Sequence, residues 1–255
     1  MYDLSTLDTK GGFFDNDNQT IIWNAGSVPD FANLLPNKKG QAQFRIKLKS
    51  EIPSGVSGSN NLFVQTTATL NTPNVPSEVG GDEVSAQKSL TTKITTQPTF
   101  KQLIYHNDSA FGLSGPLPPE VGKETVFTVH WQLTNPGNDM NSVRLTGVLS
   151  PGVTWENVTS VTVGQPEVTF NINTSEVLWN LGVLPRGIGV TGDKYEASFR
   201  IKIKPPSNQK GTIIMLIKSS KITATDSFTK QNIILPLGDM TTDDLTDRPN
   251  EGTVK

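Results

Sequence analysis

Between Thr125 and Thr134 the chain alternates without a break. Phe127, Val129, Trp131 and Leu133 fall on one side; Thr128, His130 and Gln132 fall on the other. A two-residue repeat sends successive side chains to opposite faces of an extended chain, so this run predicts a β-strand with one apolar face. Asn135-Pro136-Gly137-Asn138 ends it as a turn. Tyr195 to Lys204 repeats the pattern, with Ala197, Phe199, Ile201 and Ile203 set against Arg200, Lys202 and Lys204, and Pro205-Pro206 closes it. Further strands are expected over Val143–Leu149, Val153–Val163, Val168–Ile172, Val177–Trp179, Thr212–Ser219 and Ile222–Leu235. The earlier part of the chain predicts Tyr2–Leu7, Thr20–Ala25, Gln41–Lys49, Leu62–Leu70 and Glu83–Lys93. No stretch of ten or more residues has a convincing 3.6 period. Hydrophobic residues make up 34% and charged residues 18%, with 22 Gly and 17 Pro, a mixture suited to short strands and many turns. The expected fold class is all-β, with strands at the spacing of a sandwich.

Several chemistries are excluded directly. The chain has no Cys, which removes thiol catalysis, disulfides, Cys-ligated zinc and iron–sulfur clusters. A net charge of −2 gives no broad attraction to nucleic acid. No run approaches the ~18 apolar residues of a membrane span. Met1-Tyr2-Asp3-Leu4 is not the start of a signal peptide, so an exported chain is expected to be a piece of a longer one.

The chain repeats itself. Ile22-Trp23-Asn24-Ala25-Gly26 returns as Leu178-Trp179-Asn180-Leu181-Gly182, and Phe44-Arg45-Ile46-Lys47-Leu48-Lys49 as Phe199-Arg200-Ile201-Lys202-Ile203-Lys204. Thr67-Ala68-Thr69 matches Thr223-Ala224-Thr225 in the same register. Ser89-Leu90-Thr91 matches Ser227-Phe228-Thr229 at a shorter spacing, which leaves extra residues in the first copy near Asn71 to Lys88. The reading is a tandem array. Its first member, residues 1–100, is the C-terminal part of a module; its second, 101–245, is complete; 246–255 is a linker or tail.

The second module carries Phe127-Thr128-Val129-His130-Trp131-Gln132-Leu133-Thr134-Asn135-Pro136-Gly137, the corner Leu149-Ser150-Pro151-Gly152-Val153-Thr154-Trp155 and the strand Val177-Leu178-Trp179-Asn180-Leu181-Gly182-Val183-Leu184-Pro185. In these motifs it resembles the conserved-repeat domains of unknown function found in large bacterial and archaeal cell-surface proteins. Ser150 stands where that family usually has Pro. The resemblance implies tandem immunoglobulin-like β-sandwiches, the first one incomplete, at the cell surface. Its motifs are turns and core aromatics, and they carry no catalytic residue across.

Candidate sites are few. His106 and His130 are the two histidines, and neither has an acid–base or metal partner nearby in sequence. No hydrolase, zinc-protease or phosphate-loop motif is present, so an enzyme is not expected. Asp15-Asn16-Asp17-Asn18-Gln19 alternates oxygen ligands as calcium loops do, but lacks the glycine and closing glutamate of an EF-hand. Asp15 and Asp17 are therefore weak calcium candidates beside the reading as a hairpin turn. Asp243 and Asp244, in an acidic tail with Asp239, Asp247 and Glu251, are a second weak pair beside the reading as a solvated linker. Arg45, Lys47 and Lys49, and again Arg200, Lys202 and Lys204, form a basic stripe that could hold an anionic polymer or simply be a solvated strand face. Trp23, Trp131 and Trp179 read as core; Trp155, after the Pro-Gly corner, is the one candidate for glycan stacking. A Lys–Asn isopeptide bond would suit a chain without Cys, though no pattern marks one.

The sequence thus points to a non-enzymatic structural module of an extracellular array: a stalk, coat or adhesive filament. Its partners would be neighbouring modules or copies of itself. A carbohydrate-binding sandwich is the alternative, with a surface glycan or host protein as partner. No cofactor is expected, calcium aside.

Overall fold

The computed structural model describes residues 2–35, 37–49, 61–72 and 84–255. The chain is all-β, and it divides into two compact units, Met1–Val56 and Ser57–Lys255. The first unit holds β1 (Tyr2–Asp8), β2 (Phe13–Asp15), β3 (Thr20–Ile22) and β4 (Arg45–Leu48). β1 pairs with β4 and β2 with β3, as two separate two-stranded sheets.

The second unit opens with a long hairpin of β5 (Phe63–Thr72) and β6 (Val84–Lys93). The expected insertion near Asn71 to Lys88 spans its tip, and residues 73–83 lie outside the described residues. The register places Val64, Thr66, Ala68 and Leu70 on one face with Ala86, Lys88, Leu90 and Thr92. The opposite face carries Gln65, Thr67, Thr69, Gln87, Ser89 and Thr91. The hairpin is thus apolar on one side, yet Leu70 and Leu90 are 64% and 66% exposed. An isolated two-stranded ribbon is marginal in water, and an uncovered apolar face adds no burial to hold it.

The remainder forms a sandwich. One sheet has β10 (Val153–Val161), β13 (Tyr195–Ile203), β8 (Thr125–Thr134) and β7 (Thr99–Tyr105), in that order. The other runs β11 (Val168–Asn171), β12 (Glu176–Leu184), β9 (Met140–Leu149), β14 (Met215–Asp226) and β15 (Asn232–Pro236), with β16 (Met240–Thr241) also on β14. One core lies between them. Phe127, Val129, Trp131 and Leu133 from β8 are fully buried, as the alternation requires. They pack in one cluster with Met140, Val143 and Leu145 of β9, Val177 and Trp179 of β12, and Phe199 and Ile201 of β13. Trp131 meets Phe199 edge-on, with ring centroids 5.0 Å apart. A buried indole removes about 200 Å² from water, roughly 5 kcal/mol before entropy is counted. Gly147 makes room for that bulk: a Cβ there would lie 2.9 Å from Ser220 Oγ and 3.0 Å from Ile217 Cγ2, with Trp131 3.3 Å away.

Three expectations change. The break expected between Thr212–Ser219 and Ile222–Leu235 is a register shift inside one strand, β14, at Ser219, which has φ 54°; the turn comes later, at Ser227 to Lys230. The hairpin belongs with the sandwich, so the compact units do not meet at residue 100. Its base is hydrogen-bonded into the sandwich, as described below. Residues 246–255 are no solvated tail. Thr246 N–H donates to Ile104 O, Val254 N–H to Thr212 O and Lys255 N–H to Pro119 O, and Val254 is buried. These backbone groups find partners on β7 and on two loops of the sandwich, which a sequence of polar residues does not announce.

The matched segments share local geometry. Phe14 faces Ile21 and Asp15 faces Thr20, as Phe170 faces Val177 and Asn171 faces Glu176. Asp17 N–H donates to Asp15 Oδ1 and Asn173 N–H to Asn171 Oδ1, both at 3.0 Å. Gln19 and Ser175 sit at φ 51° and 55°. Trp23 Nε1 donates to Thr9 O at 3.0 Å, and Trp179 Nε1 to Pro166 O at 2.9 Å. The pairing β1–β4 parallels β10–β13, each with a register shift. One match fails. Ser89-Leu90-Thr91 lies within β6, whereas Ser227-Phe228-Thr229 is a turn. Pairing sets Ser89 opposite Thr67 but Ile234 opposite Thr223, so Ser89 takes the place of Ile234.

Candidate functional site

The strongest polar constellation lies where the hairpin enters the sandwich. Asp226 ends β14 and is fully buried. Its Oδ1 accepts the backbone N–H of Phe228 and of Thr229, both at 2.9 Å. Its Oδ2 accepts Thr96 N–H at 2.8 Å and Asn138 Nδ2 at 2.9 Å. Burial alone would push this carboxyl up, but bonds from Asn138, Thr96, Thr229 and Phe228 outweigh it and hold the group below its ordinary value. Asn138, also buried, donates to Ile94 O at 2.9 Å and accepts Leu62 N–H at 3.0 Å. Asn138 N–H donates to Thr96 Oγ1. Lys93 lies over the Phe228 ring, 4.5 Å from its centre, and donates to Phe228 O. Both ends of the hairpin, at Leu62 and at Ile94 to Thr96, are thereby tied to two turns of the sandwich. In the sequence Asn138 stands out only as part of a turn. The one signal for Asp226 is Asp-Ser-Phe-Thr, the composition of a turn capped by its own aspartate.

A second cluster surrounds His130. Its Nε2 lies 2.6 Å from Asp108 Oδ2, its Nδ1 2.6 Å from Glu196 Oε1, and Ser198 Oγ is 3.0 Å from Nδ1. Carboxylates only accept, so a ring with a proton on each nitrogen donates to both. Tyr105 meets the ring edge-on at 5.1 Å. Asp108 also accepts the N–H of Ala110 and of Phe111 at 2.9 Å. Burial would raise the Asp108 carboxyl, and the Phe111 and Ala110 amides with His130 more than reverse that. Serine, histidine and acid are together here, but Ser198 is buried and shares its histidine nitrogen with Glu196. The arrangement clamps the imidazole between β8, β13 and the loop after β7. It does not leave a base free to activate a nucleophile. Asp108 and Glu196 are 22 and 66 residues from His130, which is why the sequence showed no partner. His106 lies elsewhere, with Nε2 3.1 Å from Gly115 O.

Three of the weak calcium candidates, Asp15, Asp243 and Asp244, have carboxylates that accept nearby backbone N–H groups. Asp15 Oδ1 accepts Asp17 N–H, and Oδ2 accepts Asn18 Nδ2 at 2.8 Å. That Asn18 bond, with the Asn18 and Asp17 amides, holds the Asp15 carboxyl below its ordinary value against a smaller effect of burial. Asp243 Oδ1 accepts Gly252 N–H at 3.2 Å, and Asp244 Oδ2 accepts Thr241 N–H at 2.8 Å and its hydroxyl at 2.6 Å. Asp247 caps His106 and Asn107, and Asp239 caps Ser219. Among the described residues no three of His, Asp and Glu converge as a metal site would need.

Trp155 is half-buried. Phe170 stacks on it at 5.4 Å with 13° between the rings, and Phe199 tilts against it at 5.3 Å. The basic stripe of β13 is paired: Lys202 reaches Glu156 at 3.3 Å and Glu124 at 3.4 Å, and Arg200 reaches Glu156 at 3.9 Å. All lysines lie among the described residues, and each is exposed except half-buried Lys202. The buried lysine that an isopeptide bond requires is not among them.

No protein-family model matches the chain, and no curated protein matches its sequence. Similar solved structures include the full-length major pilin SpaD of Corynebacterium diphtheriae, at 13% identity and TM-score 0.36, covering 59% of this chain and 35% of that one. The major pilin BcpA of Bacillus cereus gives 11% and 0.38, covering 63% and 57%. A putative membrane-anchored protein of C. diphtheriae gives 9% and 0.34, covering 78% and 54%. This chain spans less than two thirds of each.

Proposed function

We propose that the chain is a non-enzymatic structural module of an extracellular cell-surface array, acting as a stalk, coat or filament. The observation that carries this is where the chain enters and leaves the sandwich. Thr99 pairs with Thr134, so the chain enters β7 at the Asn135–Asn138 end of β8. Lys255 bonds Pro119 and Val121, near the Thr125 end, where Gly122 also bonds Pro205 beyond β13. Ten residues of strand separate the two ends, about 30 Å at ~3.3 Å per residue. A module with opposite entry and exit adds its length to whatever it joins. The clasp of Asp226 and Asn138 leaves the connector little freedom at the entry side. The same reading makes neighbouring modules, or copies of this chain, the natural partners. A glycan-binding sandwich would need an open aromatic platform, and Trp155 has Phe170 stacked on one face. Immunogold labelling of intact source cells, with antibody raised against this chain, is expected to mark the outer surface. Label confined to the cell interior rejects the reading.

A further inference from the structure

Among the described residues, two strand edges have no neighbour in the first copy of the repeat, one in each compact unit. In the sandwich, β13 is flanked by β10 on one side and β8 on the other. Its repeat equivalent, β4, is flanked by β1 and has no strand on its other edge among the described residues. In the sandwich, β14 lies between β9 and β15. Its equivalent, β5, has β6 on one edge and no strand on the other among the described residues. The strands that close these edges in the second copy, β8 and β9, are the ones with no counterpart in residues 1–100.

The side chains agree with the topology. Phe199 is fully buried against Trp131; its equivalent Phe44 is 40% exposed. Leu48 is 43% exposed where Ile203 is buried. Phe44 and Ile46, with Thr6, Asp8, Arg45 and Lys47, line a concavity beside β4. On the hairpin, Thr66 and Ala68 correspond to Ile222 and Ala224, which face the core. The exposed apolar face of the hairpin is therefore the face that the second copy buries. Exposed strand edges backed by apolar side chains are templates for a further strand.

We propose that β4 is an acceptor edge for a strand patterned like β8, carried by a polypeptide segment that repeats residues 99–149. The second copy supplies the register. A residue like Val129 would face Phe44, and one like Phe127 would face Ile46, since Val129 faces Phe199 and Phe127 faces Ile201. The alternation of four apolar side chains is what the acceptor recognises. This inference is independent of where the protein resides or what load it bears.

The test places a copy of residues 99–152 directly before Tyr2 in the full chain. Pairing puts Tyr2 opposite Leu48 as Val153 is opposite Ile203, so Gly152 joins Tyr2 where the second copy joins Val153. Amide hydrogen exchange is read over Arg45–Leu48. The extended chain is expected to slow exchange at this segment at least tenfold relative to the parent. The same extension with its copies of Phe127 and Trp131 changed to Ser should not. In the extended chain, Phe44→Ser with Ile46→Thr should abolish the protection of Arg45–Leu48, while the parent bearing the same pair keeps its melting temperature. Unchanged exchange in the extended chain overturns the proposal. So does an extended chain that is insoluble where the parent is soluble. Protection in the parent that rises with its concentration also overturns it, because a second copy would then be the occupant.

Discussion

The Trp23 hairpin and the Trp179 hairpin are built by the same local rules and buried to different depths. Both have an aspartate or asparagine that accepts an amide two residues on, both turn through a left-handed residue, and both point an indole N–H at a backbone carbonyl. Trp179 has no solvent contact; Trp23 is only half-buried. Turn chemistry acts over a few residues and needs no core. Burial depends on strands far away in sequence, and Trp179 has the opposite sheet above it. Among the described residues, Leu62 and Pro98 are the buried apolar side chains before Ile104, and neither lies in the first unit.

The comparison can be broken most directly at the tryptophans. Trp179→Ala should lower stability by about 3–5 kcal/mol, the cost of a large cavity in a close-packed core. Trp23→Ala should leave the main urea transition in place. Equal losses from the two would mean that the first unit has a core of its own. Next comes the clasp. Asp226→Ala strands four donors, two of them buried, and the expected loss is roughly 3 kcal/mol, with faster amide exchange at Thr96 and along the hairpin base. If exchange at the hairpin base does not change, the clasp does not hold it.

Acid sharpens the same contrast. The Asp226 and Asp108 carboxyls are both held below the 3.8 of a free aspartate. A carboxyl depressed by folding contributes stability that is complete above its unfolded value and lost as pH falls through its folded value. The sandwich melting temperature should therefore be insensitive to these two groups from neutrality to about pH 5 and fall below about pH 4. Asp226→Asn should make that acid limb shallower; an unchanged limb would assign it to other carboxyls. The smallest effect expected is at the two turns. Asp15→Ala and Asn171→Ala each remove one exposed turn acceptor, and neither should move the main urea midpoint measurably. A clear loss from Asn171→Ala alone would show that the second turn is coupled to the core and the first is not.

The strands that were readable in advance are those whose faces differ. β8 has the bounds its alternation gave, and β13 ends one residue short of its predicted Lys204. β7 is not among the expected strands, because Thr-Phe-Lys-Gln-Leu-Ile-Tyr does not alternate cleanly. Its Leu103 and Gln102 are both half-buried, since β8 lies beside it and the C-terminal segment bonds Ile104. The polar clusters were out of reach for a different reason. Asp226 and Thr96 are 130 residues apart, and Glu196 and His130 66. Sequence pattern reports which face a residue takes, not which distant residue shares that face. The acids of the tail looked solvated because charge pattern cannot distinguish water from a backbone amide as partner.

The placement of Thr99 and Lys255 at opposite ends of β8 also decides how the sandwich would fail under tension. A pull at the two ends runs along the strands, so the seven paired residues between β7 and β8 are loaded in shear. Their hydrogen bonds must give way together, where a perpendicular pull would open them one at a time. The bonds from Thr246 to Ile104 and from Lys255 to Pro119 and Val121 share that load at the far end. Drawn by its ends, the module should hold until a threshold force and then release in one step; drawn sideways through residues on β7 and β10, it should peel gradually at lower force.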